Sequence, residues 1–240
     1  KGSRDMVNFQ RKERYGWEDL LTIMHLLRAP GGCPWDREQN HHTIRRNLIE
    51  ETYEVADAID RGNPGSLCEE LGDLLLQVVF HAQIAAENGE FDFSDAVDGV
   101  CRKMILRHPH VFGEVKANDA AEALTSWESA KAVEKNYSSL SEQLKRIPDN
   151  FPALLKAQKF YKKCKKAGLN LDETVVTGKI AEVLRTGVKP ADAGAFLFAV
   201  AALCTEKGVD PEVALNEYVE DFRRRAEKAD EDGKTDEFVL

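Results

Sequence analysis

A chain of 240 residues can hold one large or two small domains, and its 42% apolar and 31% charged residues are ordinary for a globular protein in water. The net charge of -9 argues against a general nucleic-acid binder, which carries a basic face, and no apolar run is long enough to span a bilayer. Five cysteines, an odd number with no C-x-x-C pair, read as reduced thiols in a cytoplasmic protein.

Residues 1–14 are polar and mostly charged and read as a loose arm. An amphipathic helix is predicted over 17–27, with Leu20, Leu21, Met24 and Leu27 on one face, ended by the breaker Ala29-Pro30-Gly31-Gly32. The turn Cys33-Pro34-Trp35-Asp36 leads into a long helix that starts at Asp36 or His42 and runs to Ile59. Beyond the turn at Asn63-Pro64-Gly65 a second acidic helix is predicted over 66–87, capped by Ser66 with Glu69 completing a capping box. Its stretch 71–86, LGDLLLQVVFHAQIAA, is apolar on most sides of a 3.6-residue period and is expected to be buried. A fourth helix starts at Ser94 and reaches Arg107, where Pro109 stops it.

Between 111 and 148 the composition turns polar and reads as a linking arm, broken by a helix from Asn118 or Asp119 to Lys135 that carries Trp127. A second unit then follows, with helical patterns over 153–166, 171–185, 190–207 and 211–230. No segment alternates with a strand period, so an all-α bundle is expected, with domains at 15–136 and 148–232. The second unit reads as a repeat of the first, because Asp192 to Ala202 can be laid over Glu70 to Phe80. In that register Ala195 replaces Asp73 and Asp192 replaces Glu70, and only Lys179-Ile-Ala-Glu182 stands upstream, so the copy is degenerate.

The acidic residues of the first unit are the candidate site. Glu51 and Glu54 are three apart on one helix face, and Glu70 and Asp73 repeat that spacing on the next helix. Folding the two helices across 61–65 brings the pairs face to face, where the carboxylates repel one another unless a cation sits between them. Mg2+, which prefers oxygen ligands, is the first choice; Mn2+ can substitute. A di-iron bundle requires Glu-x-x-His on two helices, and neither Glu51 nor Glu70 has a His three residues on. Glu50 and Glu69 by themselves read as solvated surface. Asp73, Gln77 and His81 form one stripe, on which His81 reads as a core histidine.

Taken together, GGCPWDREQ (31–39), the E-E-x-x-E and E-x-x-D pair, and RHPHVF (107–112) make the chain resemble the MazG family of nucleoside triphosphate pyrophosphohydrolases. The resemblance implies an all-α, Mg2+-dependent, usually dimeric enzyme that cleaves nucleoside triphosphates between the α and β phosphates. By position it makes Glu51, Glu54, Glu70 and Asp73 metal ligands, and Lys103 and Arg107 phosphate-contacting cations. It sets the segment from Asn47 to Glu51 along the nucleotide and Trp127 near it. Trp35 and Gln39 are further candidates for contacting the base. Either Glu50 or a ligand carboxylate takes the proton of the attacking water. Expected partners are nucleoside triphosphates and a second copy of the chain, with no nucleic acid and no membrane. A narrower dUTP, dCTP or phosphoribosyl-ATP pyrophosphatase and a non-catalytic, metal-stabilised helical interaction module are the alternatives.

Overall fold

Local caps and prolines set the starts of several helices. A computed structural model describes residues 9–135, 139–168, 173–187 and 189–231 of the chain. Among these residues every regular element is a helix: α1 (Trp17–Arg28), α2 (Pro34–Glu38), α3 (Arg45–Asp60), α4 (Pro64–Glu87), α5 (Phe93–Arg107), α6 (Pro109–Phe112), α7 (Ala120–Lys135), α8 (Leu140–Lys145), α9 (Ala153–Lys166), α10 (Glu173–Thr186), α11 (Pro190–Glu206) and α12 (Pro211–Glu231). The fold is therefore all-α. The chain divides into two units, Lys1–Lys131 and Ala132–Leu240. The expected domain limits at 136 and 232 and the expected helix start at Leu171 lie outside the described residues.

Several boundaries differ from expectation, each for a local reason. The long helix is two, because Asn40 folds the connection between α2 and α3 into a turn, its Oδ1 accepting from the amides of His42 at 2.9 Å and Thr43 at 3.2 Å. Helix α4 starts two residues before Ser66. Pro64 occupies its first turn, and Asn63 is the cap, accepting from the amides of Gly65 at 3.0 Å and Ser66 at 3.3 Å. Asp92 caps α5 in a reciprocal box with Asp95, so that helix begins at Phe93, not Ser94. Pro109 ends α5 and opens the single turn α6. The polar arm also holds α8, capped by Ser139. Of the supposed loose arm, residues 9–14 are tied down, with Lys12 2.5 Å from Asp19 and the Phe9 and Tyr15 rings 6.1 Å apart.

In the first unit α4 is the central element, packed by α3, α1 and α5. Its core consists of Met24, Ile44, Val79, Phe80 and Ile84, with Leu20, Leu21, Leu76 and Phe93 packed around them. Burying each of the larger apolar side chains stabilises by about 1.5–3 kcal/mol. Only the C-terminal half of α4 is buried as expected. Leu71, Leu75 and Val78 stay exposed, since α1 covers the later turns and α3 only one side of the earlier ones. Arg28 joins three helices: its Nε and Nη2 donate to the Glu87 carboxylate at 2.7–3.0 Å, and its Nη1 donates to the carbonyls of Asp36 and Gln39. Gly32 sits where a Cβ would run into the last carbonyls of α1, which explains the need for glycine beside Cys33.

The second unit packs α9, α10 and α12 against α11 or one another, around Tyr161, Val176, Val183, Ala199, Ala201 and Ala202. Buried Gln158 donates to Asp210 at 3.2 Å, and Tyr161 donates to Glu206. Burial and that acidic partner push the Tyr161 hydroxyl up to about 12.

Candidate active site

Helices α3 and α4 bring the predicted acids together. Glu51, Glu70 and Asp73 each offer a carboxylate oxygen within 4.8 Å of the other two. The trio exists because Glu70 and Asp73 lie one turn apart on α4, facing the α3 turn that carries Glu51. Glu54, one turn further along α3, acts electrostatically on both Glu51 and Glu70 but is not one of the three converging carboxylates. Desolvation and then the charges of Asp73, Glu54 and Glu70 push the Glu51 carboxyl above its ordinary range. Glu70 moves the same way, through desolvation and then the charges of Glu54, Glu69, Asp73 and Asp57. With Glu51 and Glu70 half-buried and raised in pKa and Asp73 open to solvent, these oxygens are a fitting donor set for a hard divalent cation.

Glu50 is not among these clustered groups. It is paired with Arg46 at 2.7 Å on the exposed side of α3. Asn47 is half-buried one turn before Glu51 and so shares its face. Lys103 is half-buried on α5, and its side chain makes no ion pair or hydrogen bond among the described residues. Arg107, one turn later, is 6% exposed, with its guanidinium 5.3 Å from the centroid of the Trp127 ring. Lys131 lies over the same indole at 4.5 Å. Trp35 is open to solvent, while Gln39 is half-buried and donates to the Trp35 carbonyl at 2.8 Å.

Two features went unseen in the sequence. The i, i+4 spacing of Trp127 and Lys131 was a usable signal for their contact. The contact between His41 and His81, whose Nδ1 atoms are 2.8 Å apart, joins residues 40 positions apart and has no local signature.

The MazG nucleotide pyrophosphohydrolase domain matches residues 39–112, a span that includes Glu51, Glu54, Glu70, Asp73, Lys103 and Arg107. A nucleoside triphosphate pyrophosphohydrolase of Escherichia coli K12 is 41% identical over 221 residues, covering 86% of this chain and 84% of that protein. The Thermotoga maritima protein named nucleoside triphosphate pyrophosphohydrolase/pyrophosphatase MazG is 39% identical over 229 residues, covering 90% and 88%. A Mycolicibacterium smegmatis protein of the former name is 44% identical over 154 residues, covering 63% of this chain and 46% of its own. With similarity of that depth running along nearly its whole length, the chain belongs to the MazG nucleotide pyrophosphohydrolase family, hydrolases that act on acid anhydrides.

Proposed function

We propose that this protein is a Mg2+-dependent nucleoside triphosphate pyrophosphohydrolase that cleaves the α-β anhydride to a nucleoside monophosphate and pyrophosphate, in nucleotide-pool house-cleaning. The observation that carries this reading is the convergence of Glu51, Glu70 and Asp73 within 4.8 Å, inside the span matched by the family domain. Glu51, Glu54, Glu70 and Asp73 are the residues to hold Mg2+, or Mn2+ as a substitute. The bound ion supplies positive charge against the triphosphate and acidifies water. Lys103 adds a cation for the phosphates, and Trp127, braced by Arg107 and Lys131, offers a face for the base. Asn47, Trp35 and Gln39 line the nucleotide side. Hydrolysis forms a bond from the water oxygen to the α or β phosphorus and breaks the α-β bridging P–O bond, whose electron pair leaves with pyrophosphate in the first case and with the nucleoside monophosphate in the second. The water proton passes to a carboxylate of the cluster.

The expected partners are nucleoside triphosphates and a second copy of the chain, the latter supported by the apolar side chains exposed on α4 and α5. A cytoplasmic location goes with this reading and with five unpaired cysteine thiols. Among the described residues no helix is long and apolar enough to cross a membrane.

Product analysis tests the proposal. The purified chain is incubated with a panel of nucleoside triphosphates, with and without Mg2+, beside Asp73→Asn. The expected result is monophosphate plus pyrophosphate, dependent on both the ion and Asp73, with the panel identifying the preferred base. Release of inorganic phosphate instead, or no turnover by a folded, metal-binding protein, overturns it.

A further inference from the structure

The connection 39–44 runs from Gln39 to Ile44 and delivers the chain to α3, the helix that bears Asn47, Glu51 and Glu54. Ile44 is buried in the core at its end, and among the described residues the middle of the connection is fastened to α4 by a side-chain bond between Nδ1 of His41 and Nδ1 of His81. The two ring planes differ by 5°, and their centroids are 5.1 Å apart. That separation is what the 2.8 Å contact plus the two ring radii give, so the imidazoles lie edge to edge in a common plane, joined by a straight N–H···N hydrogen bond.

Such a bond needs one donor and one acceptor, and the surroundings choose between them. The Glu90 carboxylate lies 4.0 Å from His41 Nε2, beyond hydrogen-bond length, and its negative charge favours a proton on that nitrogen, which leaves His41 Nδ1 as the acceptor. His81 must then donate from Nδ1. Its own Nε2 is buried with no hydrogen-bond partner, an environment that tolerates a bare lone pair better than an N–H. The other polar groups of the neighbourhood are committed elsewhere: His25 on α1 to Gln83, Arg28 on α1 to Glu87, and Asp92 and Asp95 at the start of α5 to each other. Gln77, one turn before His81 on α4, is buried and uncharged.

We propose that His41 and His81 are a positioning pair for the hydrolytic site, whose shared proton pins the α2–α3 connection to α4 and releases it on acidification. The proposal rests on reading the carboxylates of α3 and α4 as that site. A first added proton, whichever ring carries the charge, puts an N–H on the buried, partnerless His81 Nε2. A second leaves two N–H groups facing each other, and the rings must part. Desolvation, followed by the His41 charge, holds His81 below its ordinary value of 6.5. The sign follows: the folded state binds fewer protons than the unfolded one, so the stabilisation is complete above pH 6.5 and declines as pH falls toward the lowered value. His81 lies eight residues, about 12 Å along the helix, from Asp73, so the pair acts through the placement of α3 and not on the substrate.

The test pairs a spectroscopic with a kinetic measurement on the full chain. Long-range 1H–15N correlation spectra of the ring nitrogens are expected to show His81 protonated at Nδ1 and His41 at Nε2 at about pH 8, with a coupling across the bond that disappears on acidification. His81→Asn supplies an amide that can donate, or turn over and accept, so its bond to His41 survives protonation. Relative to wild type at about pH 8 this variant keeps its kcat/KM, and at about pH 5.5 it exceeds wild type by roughly tenfold. His81→Phe, which restores no bond, is impaired at every pH. Two ordinary Nε2–H rings titrating independently, or an acid limb unchanged in His81→Asn, overturns the pair. Spectra as expected beside a wild type that hydrolyses no nucleotide at any pH refute the hydrolase reading instead, since the spectra do not depend on turnover.

Discussion

Two adjacent glutamates of α3 have different fates. Glu51 faces the acids of α4, with its carboxyl raised by desolvation and by their charge, while Glu50 is turned about 100° away and paired with Arg46. Asp73→Asn and Glu51→Gln are therefore expected to lower kcat by at least about 100-fold, as loss of one key electrostatic group does, whereas Glu50→Gln stays within about threefold. Steady-state kinetics at saturating Mg2+ decides it; a Glu50→Gln defect as deep as that of Asp73→Asn makes Glu50 the proton acceptor. Much at this scale was legible in the sequence. Acids at three-residue spacing inside apolar helices are costly to desolvate without a cation between them, and Glu51, Glu70 and Asp73 do converge. The environment of Arg107 was not legible, because its burial against Trp127 depends on a tertiary contact between α5 and α7.

Among the elements, α4 depends on both of its ends. At its start, the Asn-Pro pair outweighs the Ser66 box that the sequence also offers, since Pro64 needs no hydrogen-bond partner and Asn63 satisfies two amides at once. Asn63→Ala is expected to lose about 1 kcal/mol in urea unfolding, while Ser66→Ala is nearly neutral. At the other end Glu87 holds Arg28. Its carboxyl lies below its ordinary 4.5, first through the Arg28 hydrogen bond and then, against desolvation, through Gln83 and the charges of Arg28 and His25. Glu87→Gln leaves a guanidinium without its anion. Because Glu87 itself is about a third exposed, the expected loss is only about 1–2 kcal/mol. This contribution is full above pH 4.5 and vanishes as pH falls through the lowered value. Unfolding of wild type and variant at neutral pH and near pH 3 should therefore differ in the first case and converge in the second. The long helices of the first unit followed from periodicity and breakers, whereas the short α2 and α6 did not, and the starts of α4 and α5 turned on which of the competing caps wins.

For the whole molecule, the apolar surface left open is the telling feature. Leu71 is 49% exposed, and Leu75 and Val78 on α4 and Val97, Val100 and Met104 on α5 are also open. Periodicity marked α4 as buried on most sides, and among the described residues of the first unit nothing covers these positions. Leu197 on α11 and Leu215 and Tyr218 on α12 are exposed in the second unit. Aligning Asp73 with Ala195 places Leu197 opposite Leu75, and aligning the caps Asp92 and Asp210 places Leu215 and Tyr218 opposite Val97 and Val100. We propose on this ground that the second unit is a degenerate copy that keeps the cohesive face and loses the acids. Apolar positions kept in both copies while the acids are lost from one are what a role in self-association predicts. Leu75→Glu combined with Val100→Glu buries charge in any interface formed by this face but leaves it solvated in a monomer. Sedimentation velocity should then show wild type at twice the chain mass and the double variant at the chain mass, with helical content unchanged by circular dichroism. If wild type already sediments as a monomer, the face has another occupant and the second-copy assignment fails. If the variant remains dimeric with its helices intact, the faces of α4 and α5 are not the contact, and the corresponding test moves to Leu197 and Tyr218.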